Sequence, residues 1–321
     1  MIAVTGAAGF IGSCLIRHLN DKGHTAIIAI DDFCSKQKLR NLANKQIAGL
    51  VHRDDFKEWL ERSEKKISGI FHLGARTDTT EKDETIFKRL NLDYSKQLWA
   101  ICSRFQIPFV YASSAATYGN GAHGYEDQHE IAFRLKPLNL YGISKNDFDK
   151  WALEQQDHPP HWVGMKFFNV YGPNEYHKER MASVIWQTWK QIQLNDKMKL
   201  FRSHRTDISD GHQKRDFIYV KDVVKICVYF HEQKVQNGLY NVGTGQARSF
   251  LDLVSHTFQC VRKTPGIDFI DTPEDIRDNY QYYTEANITK LRKSGYNESF
   301  YSLEDGIKEY VLNYLEKRAH F

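Results

Sequence analysis

Over the first half of the chain, apolar and polar positions alternate in blocks. Ile2-Ala3-Val4-Thr5 is a short apolar run. A glycine-rich turn follows, then a stretch from Ile11 to Lys22 in which Ile11, Leu15, Ile16 and Leu19 share one helical face. Gly23 supplies the stop. Ala26 to Ile30 reads as a second buried strand ended by Asp31-Asp32, and Ile70 to Leu73 as another ended by Gly74-Ala75. From about Glu84 to Phe105, the residues Ile86, Leu90, Tyr94, Leu98, Ile101 and Cys102 recur every three or four positions and predict one long amphipathic helix. A strand from Ile107 to Ala112, a helix from Asn139 to Gln156 and a strand from Val163 to Phe168 complete the series. Short apolar strands alternating with helices predict βαβ units. The expected fold class is therefore α/β, a Rossmann-type doubly wound parallel sheet.

After Gly172-Pro173 the rhythm changes. Residues 174–213 are polar and irregular, with a helix near Met181 to Leu194 and a charged stretch, Arg202 to Gln213, that reads as a loop. Phe217 to Val220 and Leu239 to Val242 are short strand candidates, and the tail from about Leu303 to Lys317 is helical. The expected organisation is a cofactor-binding domain over 1–172, rejoined by segments in about 214–245, and a smaller, mainly C-terminal substrate-binding lobe over 173–321.

Composition narrows the function classes. Lys and Arg total 44 against 40 Asp and Glu, a net charge of +4 over 321 residues. That balance argues against nucleic acid or a membrane surface as partner. Apolar residues at 41% suffice for a core, and a mean hydropathy of −0.57 argues against an integral membrane protein. The first residues carry no basic segment followed by a long apolar run, so no secretory leader is expected and a cytoplasmic location is. The five cysteines, Cys14, Cys34, Cys102, Cys227 and Cys260, are odd in number and contain no CxxC pair. Reduced thiols are expected, and no metal site.

The candidate chemistry begins at Gly6-Ala7-Ala8-Gly9-Phe10-Ile11-Gly12, between a strand and a helix. Gly6 permits the tight turn, Gly9 lets backbone N–H groups approach a pyrophosphate at the positive end of the helix dipole, and Gly12 allows helix and strand to close up. The spacing is GxxGxxG rather than GxGxxG. Asp31 stands at the end of the second strand, where an acid meets the adenosine ribose. Lys36, Lys38, Arg40 and Arg53 would attract a 2′-phosphate, whereas Asp32 would repel one. NADP is the expected cofactor, with NAD as the alternative. A second group is Ser114, at a strand end, with Tyr141 and Lys145 one helical turn apart. An ammonium at Lys145 would lower the phenol pKa of Tyr141, which could then take a substrate hydroxyl proton as hydride leaves carbon.

These motifs, with Tyr111-Ala-Ser-Ser-Ala-Ala-Thr-Tyr-Gly119, Asn169-Val-Tyr-Gly-Pro173, Arg215-Asp-Phe-Ile-Tyr-Val220 and Asn241-Val-Gly-Thr-Gly245, resemble the extended short-chain dehydrogenases/reductases that act on nucleotide-sugars. The resemblance spans nearly the whole chain. Within that family the stretch Phe168 to Val184, with Tyr176-His177-Lys178 and Met181-Ala-Ser-Val184, is most similar to the ADP-heptose 6-epimerases. The resemblance implies a tightly held nicotinamide cofactor, an ADP-sugar substrate, a transient 6″-ketone with internal hydride return, and a role in making lipopolysaccharide inner-core heptose precursors. It implies Lys178 as a second base whose pKa is lowered by burial or by Lys145, His177 and Arg180. It further implies Phe10, Ile11, Asp31, Asp32, Lys38, Arg53, Leu73, Gly74, Ala75, Arg76, Thr77, Asn91, Tyr141, Lys145, Val170 and Lys178 for the cofactor, with Lys145 on the nicotinamide ribose. For the substrate it implies Ser114, Asn169, Arg180, Gln187, Phe201, Arg202, Ser203, His204, Arg215 and Tyr280. It also implies a homo-oligomer, a ring of five. Tyr176 stands where the family has Gly, Arg180 where Ser is usual and Gln187 where His is usual, and the Arg202 to Gln213 stretch is longer than the family pattern.

Two alternatives stay in play. One is another NAD(P)-dependent nucleotide-sugar epimerase or dehydratase. A dehydratase needs an acid pair beside the serine, and Ala115-Ala116 stand there. The other is a non-catalytic NADP-sensing protein, a class that typically loses the Ser/Tyr/Lys set retained here.

Overall fold

The computed structural model describes residues 1–277 and 280–321. Its centre is a seven-stranded sheet of β1 (Ile2–Thr5), β2 (Ile27–Asp31), β3 (Gly49–His52), β4 (Gly69–His72), β5 (Phe109–Ser114), β6 (Trp162–Phe167) and β10 (Gly238–Val242), in the order β10-β6-β5-β4-β1-β2-β3. Every pairing in it is parallel. All residues of β1, β2, β4, β5, β6 and β10 are buried, as a parallel sheet covered on both faces requires. β3, an edge strand, is only half covered, and its Leu50 is 60% exposed.

Strands on either side of β10 in the chain build two smaller sheets. β7 (Asn169–Tyr171) pairs in parallel with β9 (Lys214–Tyr219), which pairs antiparallel with β11 (Ala247–Ser249); β8 (Met198–Phe201) pairs in parallel with β12 (Ile267–Ile270). The Arg202 to Gln213 stretch between β8 and β9 carries no helix or strand. The seven-stranded sheet does not end in bare backbone at β10. Leu239 N meets His129 Nε2 at 3.3 Å, Lys290 Nζ donates to Leu239 O at 2.7 Å, and Asn241 N donates to Asp127 Oδ2 at 2.8 Å. Side chains thus satisfy groups that an edge strand otherwise leaves to solvent or to another chain.

The first helix runs Phe10–Asp21, burying Phe10, Cys14, Leu15, Ile16 and Leu19, and Gly23 follows it at φ +88°. The stretch expected as one helix from Glu84 to Phe105 is instead Glu84–Phe87, a π-helical segment Lys88–Asp93, and Tyr94–Arg104. The wider turn puts polar Asn91 inward, where an unbroken 3.6-residue period would want an apolar side chain. The helix expected from Asn139 is Leu140–Glu154, with the Asn139 side chain accepting from Gly142 N. Val220, expected at a strand end, instead opens a helix, Val220–Glu232, that packs on the first helix. All five cysteines are free. Among the described residues no helix is long and apolar enough to cross a membrane.

Candidate active site

The strand order reverses between β1 and β4, and in open α/β sheets ligands bind at that reversal, beyond the strands' carboxyl ends. A cleft of about 800 Å³ lies there. One wall is the turn Gly6 to Gly12. Gly6 has φ +67°, and a Cβ on it would lie 2.7 Å from Gly74 Cα, on the other wall. A Cβ on Gly12 would lie 2.2 Å from Gly6 O. Both glycines are therefore fixed by close backbone approach. The following helix begins at Gly9 with no side-chain cap and no acid in its first turn, which leaves its amide end available to an anion.

The facing wall is Leu73, Gly74, Ala75, Arg76 and Thr77, backed by Ile86, Leu90 and Tyr94. Asn91 stands behind it. Its Oδ1 accepts from Arg76 N at 2.8 Å, while its Nδ2 donates to Arg76 O and to Ser144 Oγ, both at 2.9 Å.

Asp31, Asp32, Lys38 and Arg53 line one end of the cleft. Asp31 accepts from Ala8 N at 3.0 Å and from Lys38 Nζ at 2.9 Å. Arg53 Nη1 donates to Asp32 at 3.3 Å. Partial burial raises the Asp32 pKa, but Lys38, the Cys34 amide and Arg53 outweigh it and hold the carboxyl low. Lys36 and Arg40 are exposed and do not line the cleft. The Nε atoms of Arg53 and Arg76 are buried without a hydrogen-bond partner, although Arg53 Nε lies 3.6 Å from Asp54 Oδ1.

The helix Leu140–Glu154 places Tyr141, Lys145 and Asp149 on one face, four residues apart. Ser114 ends β5, and its hydroxyl interacts with the Tyr141 phenol. The expected lowering of the phenol pKa is not found. Burial raises it, with Asp149 adding and Ser114 opposing. The reason is where the ammonium points: Lys145 Nζ donates to Ala112 O at 2.8 Å. Burial pushes Lys145 itself down to about 8 against the pull of Asp149.

Asp149 carries a network the sequence reading missed. Its carboxylate accepts from Lys166 Nζ at 2.7 Å, Ser113 Oγ at 2.6 Å and Tyr111 OH at 3.0 Å, all buried. Lys166 also donates to Thr117 Oγ1 at 2.8 Å.

Lys178 lies in the short helical segment Tyr176–Met181, which is kinked at Glu179 with φ +46°. Its Nζ lies 5.7 Å from the Phe10 ring centre, so it joins the Gly6 to Gly12 wall. Burial lowers its pKa, and the carboxylate of Glu175 opposes this. His177 does not act as the expected cation, because burial, Lys38 and Lys178 push its own pKa down to about 4. Glu175, also absent from the sequence reading, is buried and accepts from Ser183 N at 2.7 Å and Ser183 Oγ at 2.6 Å.

The residues expected at the substrate fall into two groups. Phe201, Arg215 and Tyr280 form one: the Arg215 guanidinium lies 5.5 Å from the Tyr280 ring centre, and the Phe201 and Tyr280 rings meet edge-on at 6.1 Å. Arg202, Ser203 and His204 continue from Phe201, with Ser203 N donating to Asp210 Oδ1 at 2.7 Å and His204 N to Tyr282 OH at 2.9 Å. Tyr282 and Phe250, whose ring lies 5.5 Å from the Arg215 guanidinium, were not anticipated. The second group surrounds Lys178. Gln187 Nε2 donates to Glu179 O at 2.6 Å and so braces the kink, and Arg180 belongs to the same segment. Asn169 and Val170 lie on β7, paired with Phe217 and Ile218.

A family model described as "NAD dependent epimerase/dehydratase family" matches residues 2–243. The chain is 45% identical over 331 residues, with both chains covered completely, to a Fusobacterium nucleatum protein named ADP-L-glycero-D-manno-heptose-6-epimerase. Among solved structures, the Helicobacter pylori protein of that name matches with a TM-score of 0.80 and 30% identity, covering 97% of this chain and 95% of the other. A UDP-N-acetylglucosamine 4-epimerase from Methanobrevibacter ruminantium superposes with a TM-score of 0.84 at 23% identity over 99% and 98% of the two chains, a likeness of fold.

Proposed function

Since the chain belongs to the NAD-dependent epimerase/dehydratase family and, within it, to the ADP-L-glycero-D-manno-heptose-6-epimerases, we propose that it interconverts ADP-D-glycero- and ADP-L-glycero-D-manno-heptose. It is an isomerase, and this reaction would supply heptose for the lipopolysaccharide inner core. Lys178 carries the choice of a 6-epimerase: it puts an amine, with its pKa lowered by burial, on the cleft wall, a second proton-transfer group besides the Ser114–Tyr141 pair, which lies outside that lining.

The cleft fits a nicotinamide dinucleotide. The turn at Gly6 and Gly12 has no room for a Cβ, the helix amides behind Gly9 are uncapped, and Arg76 holds a buried Nε donor without a hydrogen-bond partner. Gly6 to Gly12 and Leu73 to Thr77 would hold the pyrophosphate, and Asp31 the adenosine ribose. Lys38 and Arg53 favour NADP over NAD. Both are paired to Asp31 and Asp32, so a 2′-phosphate would have to draw them off. Phe201, Arg215 and Tyr280 would take the ADP group, and Ser114, Asn169, Arg180, Gln187 and Arg202 to His204 the sugar. This assigns residues 1–172 and the returning strand β10 to the cofactor, and most of 173–321 to the substrate. By family resemblance we also place the protein in the cytoplasm as a homo-oligomer.

The reacting carbon is a carbinol with no acidic C–H, so inversion needs a temporary ketone. When bound, the nicotinamide supplies a reversible hydride acceptor. The two epimers present their oxygen on opposite sides, and two proton-transfer groups answer that need. Tyr141 rests as a protonated phenol, set to give a proton to the sugar oxygen when the ketone is reduced. Lys145, with a pKa of about 8, is still mostly charged at pH 7; its Nζ is held on Ala112 O, so it would support a phenolate in the reverse direction only after turning from that carbonyl. Lys178 acts in its neutral form, and Ser114 holds the oxygen. The test is to incubate the purified protein with ADP-D-glycero-D-manno-heptose, without added reductant, and to follow C6″ by NMR. Interconversion is expected. Turnover of UDP-glucose instead would move the assignment to a C4 epimerase.

A further inference from the structure

We propose that His72 is a positioning residue for the cofactor wall: a neutral imidazole, protonated on Nε2 alone, that links the Leu73 to Thr77 loop to the π-helical segment behind it. The proposal rests on the reading that this cleft binds a nicotinamide dinucleotide.

His72 is the last residue of β4 and is buried. Its Nδ1 lies 2.7 Å from Thr5 Oγ1, and its Nε2 lies 2.9 Å from Ser95 Oγ. Thr5 Oγ1 also accepts from Gly74 N at 3.1 Å, and Ser95 Oγ donates to Asn91 O. These bonds share one direction. Because the Ser95 hydroxyl hydrogen goes to Asn91 O, Ser95 Oγ can only accept from the ring, so the ring proton is on Nε2. Nδ1 then accepts the Thr5 hydroxyl hydrogen, and Thr5 Oγ1 is free to accept from Gly74. The other tautomer would make Thr5 Oγ1 accept twice and would turn the Ser95 hydrogen away from Asn91. A doubly protonated ring would leave the Thr5 hydrogen without its acceptor. It would also place a charge in a buried site faced by the Lys145 ammonium and packed by the Tyr94 and Phe109 rings.

Both ends of this chain reach the cofactor wall. At one end is the Gly74 amide, part of the cleft lining. At the other is Asn91, whose side chain clasps the N–H and carbonyl of Arg76. The loop is thus held at Gly74 and at Arg76, and His72 and Ser95, neither of which lines the cleft, join the two holds through Thr5, which does. Such outlying hydrogen bonds fix the geometry of the residues that do.

The test has two parts. Long-range ¹H–¹⁵N spectra of the full chain, recorded without added cofactor, should show one histidine protonated on Nε2 only and unchanged from pH 8 to pH 5. His72→Phe, which retains an aromatic ring but strands the Thr5 and Ser95 hydroxyls, should weaken NADPH binding about tenfold in fluorescence titration. Turnover at saturating cofactor should stay within about twofold of the parent. If His72→Phe does not fold, Ser95→Ala reports instead: it removes the acceptor of the Nε2 proton and should weaken NADPH binding in the same sense. A ring protonated on Nδ1, titration near pH 6.5, or unchanged NADPH affinity in the folded variant would overturn the proposal. A chain that binds no dinucleotide while showing the expected tautomer would instead overturn the functional reading and leave the hydrogen-bond chain standing.

Discussion

At Lys178 two influences oppose each other: burial favours the neutral amine, and the buried carboxylate of Glu175 favours the ammonium. An amine that serves as a base must be neutral, so the acidic limb of the turnover–pH profile follows its pKa. Glu175→Gln removes the charge that holds the proton on, and the limb should move to lower pH. A shift to higher pH would show that Glu175 acts otherwise. Lys178→Met should lower turnover by about two to four orders of magnitude while leaving nucleotide-sugar affinity nearly intact; a loss of affinity alone would make it a phosphate contact. Tyr141→Phe should cost about as much, with cofactor binding and Tm unchanged, as steady-state kinetics and thermal melts would show. Near-normal turnover would remove Tyr141 from the chemistry.

Among the elements, the Leu140–Glu154 helix does most to organise the reaction centre. Its one face presents Tyr141 to Ser114, Lys145 to the end of β5 and Asp149 to Lys166 on β6. The Asp149–Lys166 pair is buried, its side chains 0% and 2% exposed, so deleting one partner leaves an unpaired charge in the core. Lys166→Met should lower stability by about 3–5 kcal/mol, measured by denaturant titration, and a neutral outcome would mean that the carboxylate finds another partner. The glycine turn is equally unforgiving. A methyl group on Gly12 would collide with the backbone at Gly6, so Gly12→Ala should abolish cofactor retention during purification. The glycine turn, the Ser/Tyr/Lys set and the buried strands were legible because each is written in a short stretch of chain. Asp149–Lys166 and His72 were not, since each gains its meaning from residues distant in sequence, and Glu175 was not, because only the fold shows that its carboxylate is buried. The π-helical segment escaped for a related reason: the apolar period on both sides of Asn91 fits an unbroken helix, and only the contact with Arg76 shows the wider turn. The short edge strand Gly49–His52 was missed although Leu50 and Val51 give it an apolar centre, and β8 and β12 pair across more than sixty residues.

Across the whole molecule, several imidazoles are folded in their neutral form. Burial, reinforced by Lys145, pushes His72 down to about 3; burial and Lys290 push His129 to about 4; and His177 falls to about 4. In the unfolded chain each would titrate near 6.5. Below that pH the unfolded state binds protons that the folded state refuses, so stability is lost as pH falls from about 6.5 toward these lower values, by up to about 1.4 kcal/mol per pH unit for His72. Melting temperatures should fall between pH 7 and pH 4.5, and His72→Phe should flatten that slope; an unchanged slope would mean that the acid sensitivity lies elsewhere.

The closure of the large sheet at β10 has a consequence for how the protein is made. The dinucleotide crevice is written in the first 178 residues, yet the strand that borders the sheet arrives at Gly238–Val242, and the ammonium that covers its Leu239 carbonyl arrives only at Lys290. A growing polypeptide therefore displays a sticky flank for the time a ribosome takes to add about fifty further residues, at about 5–20 per second. During those seconds the nascent chain is most open to capture by a neighbour or a chaperone, and translation past Lys290 closes the interval.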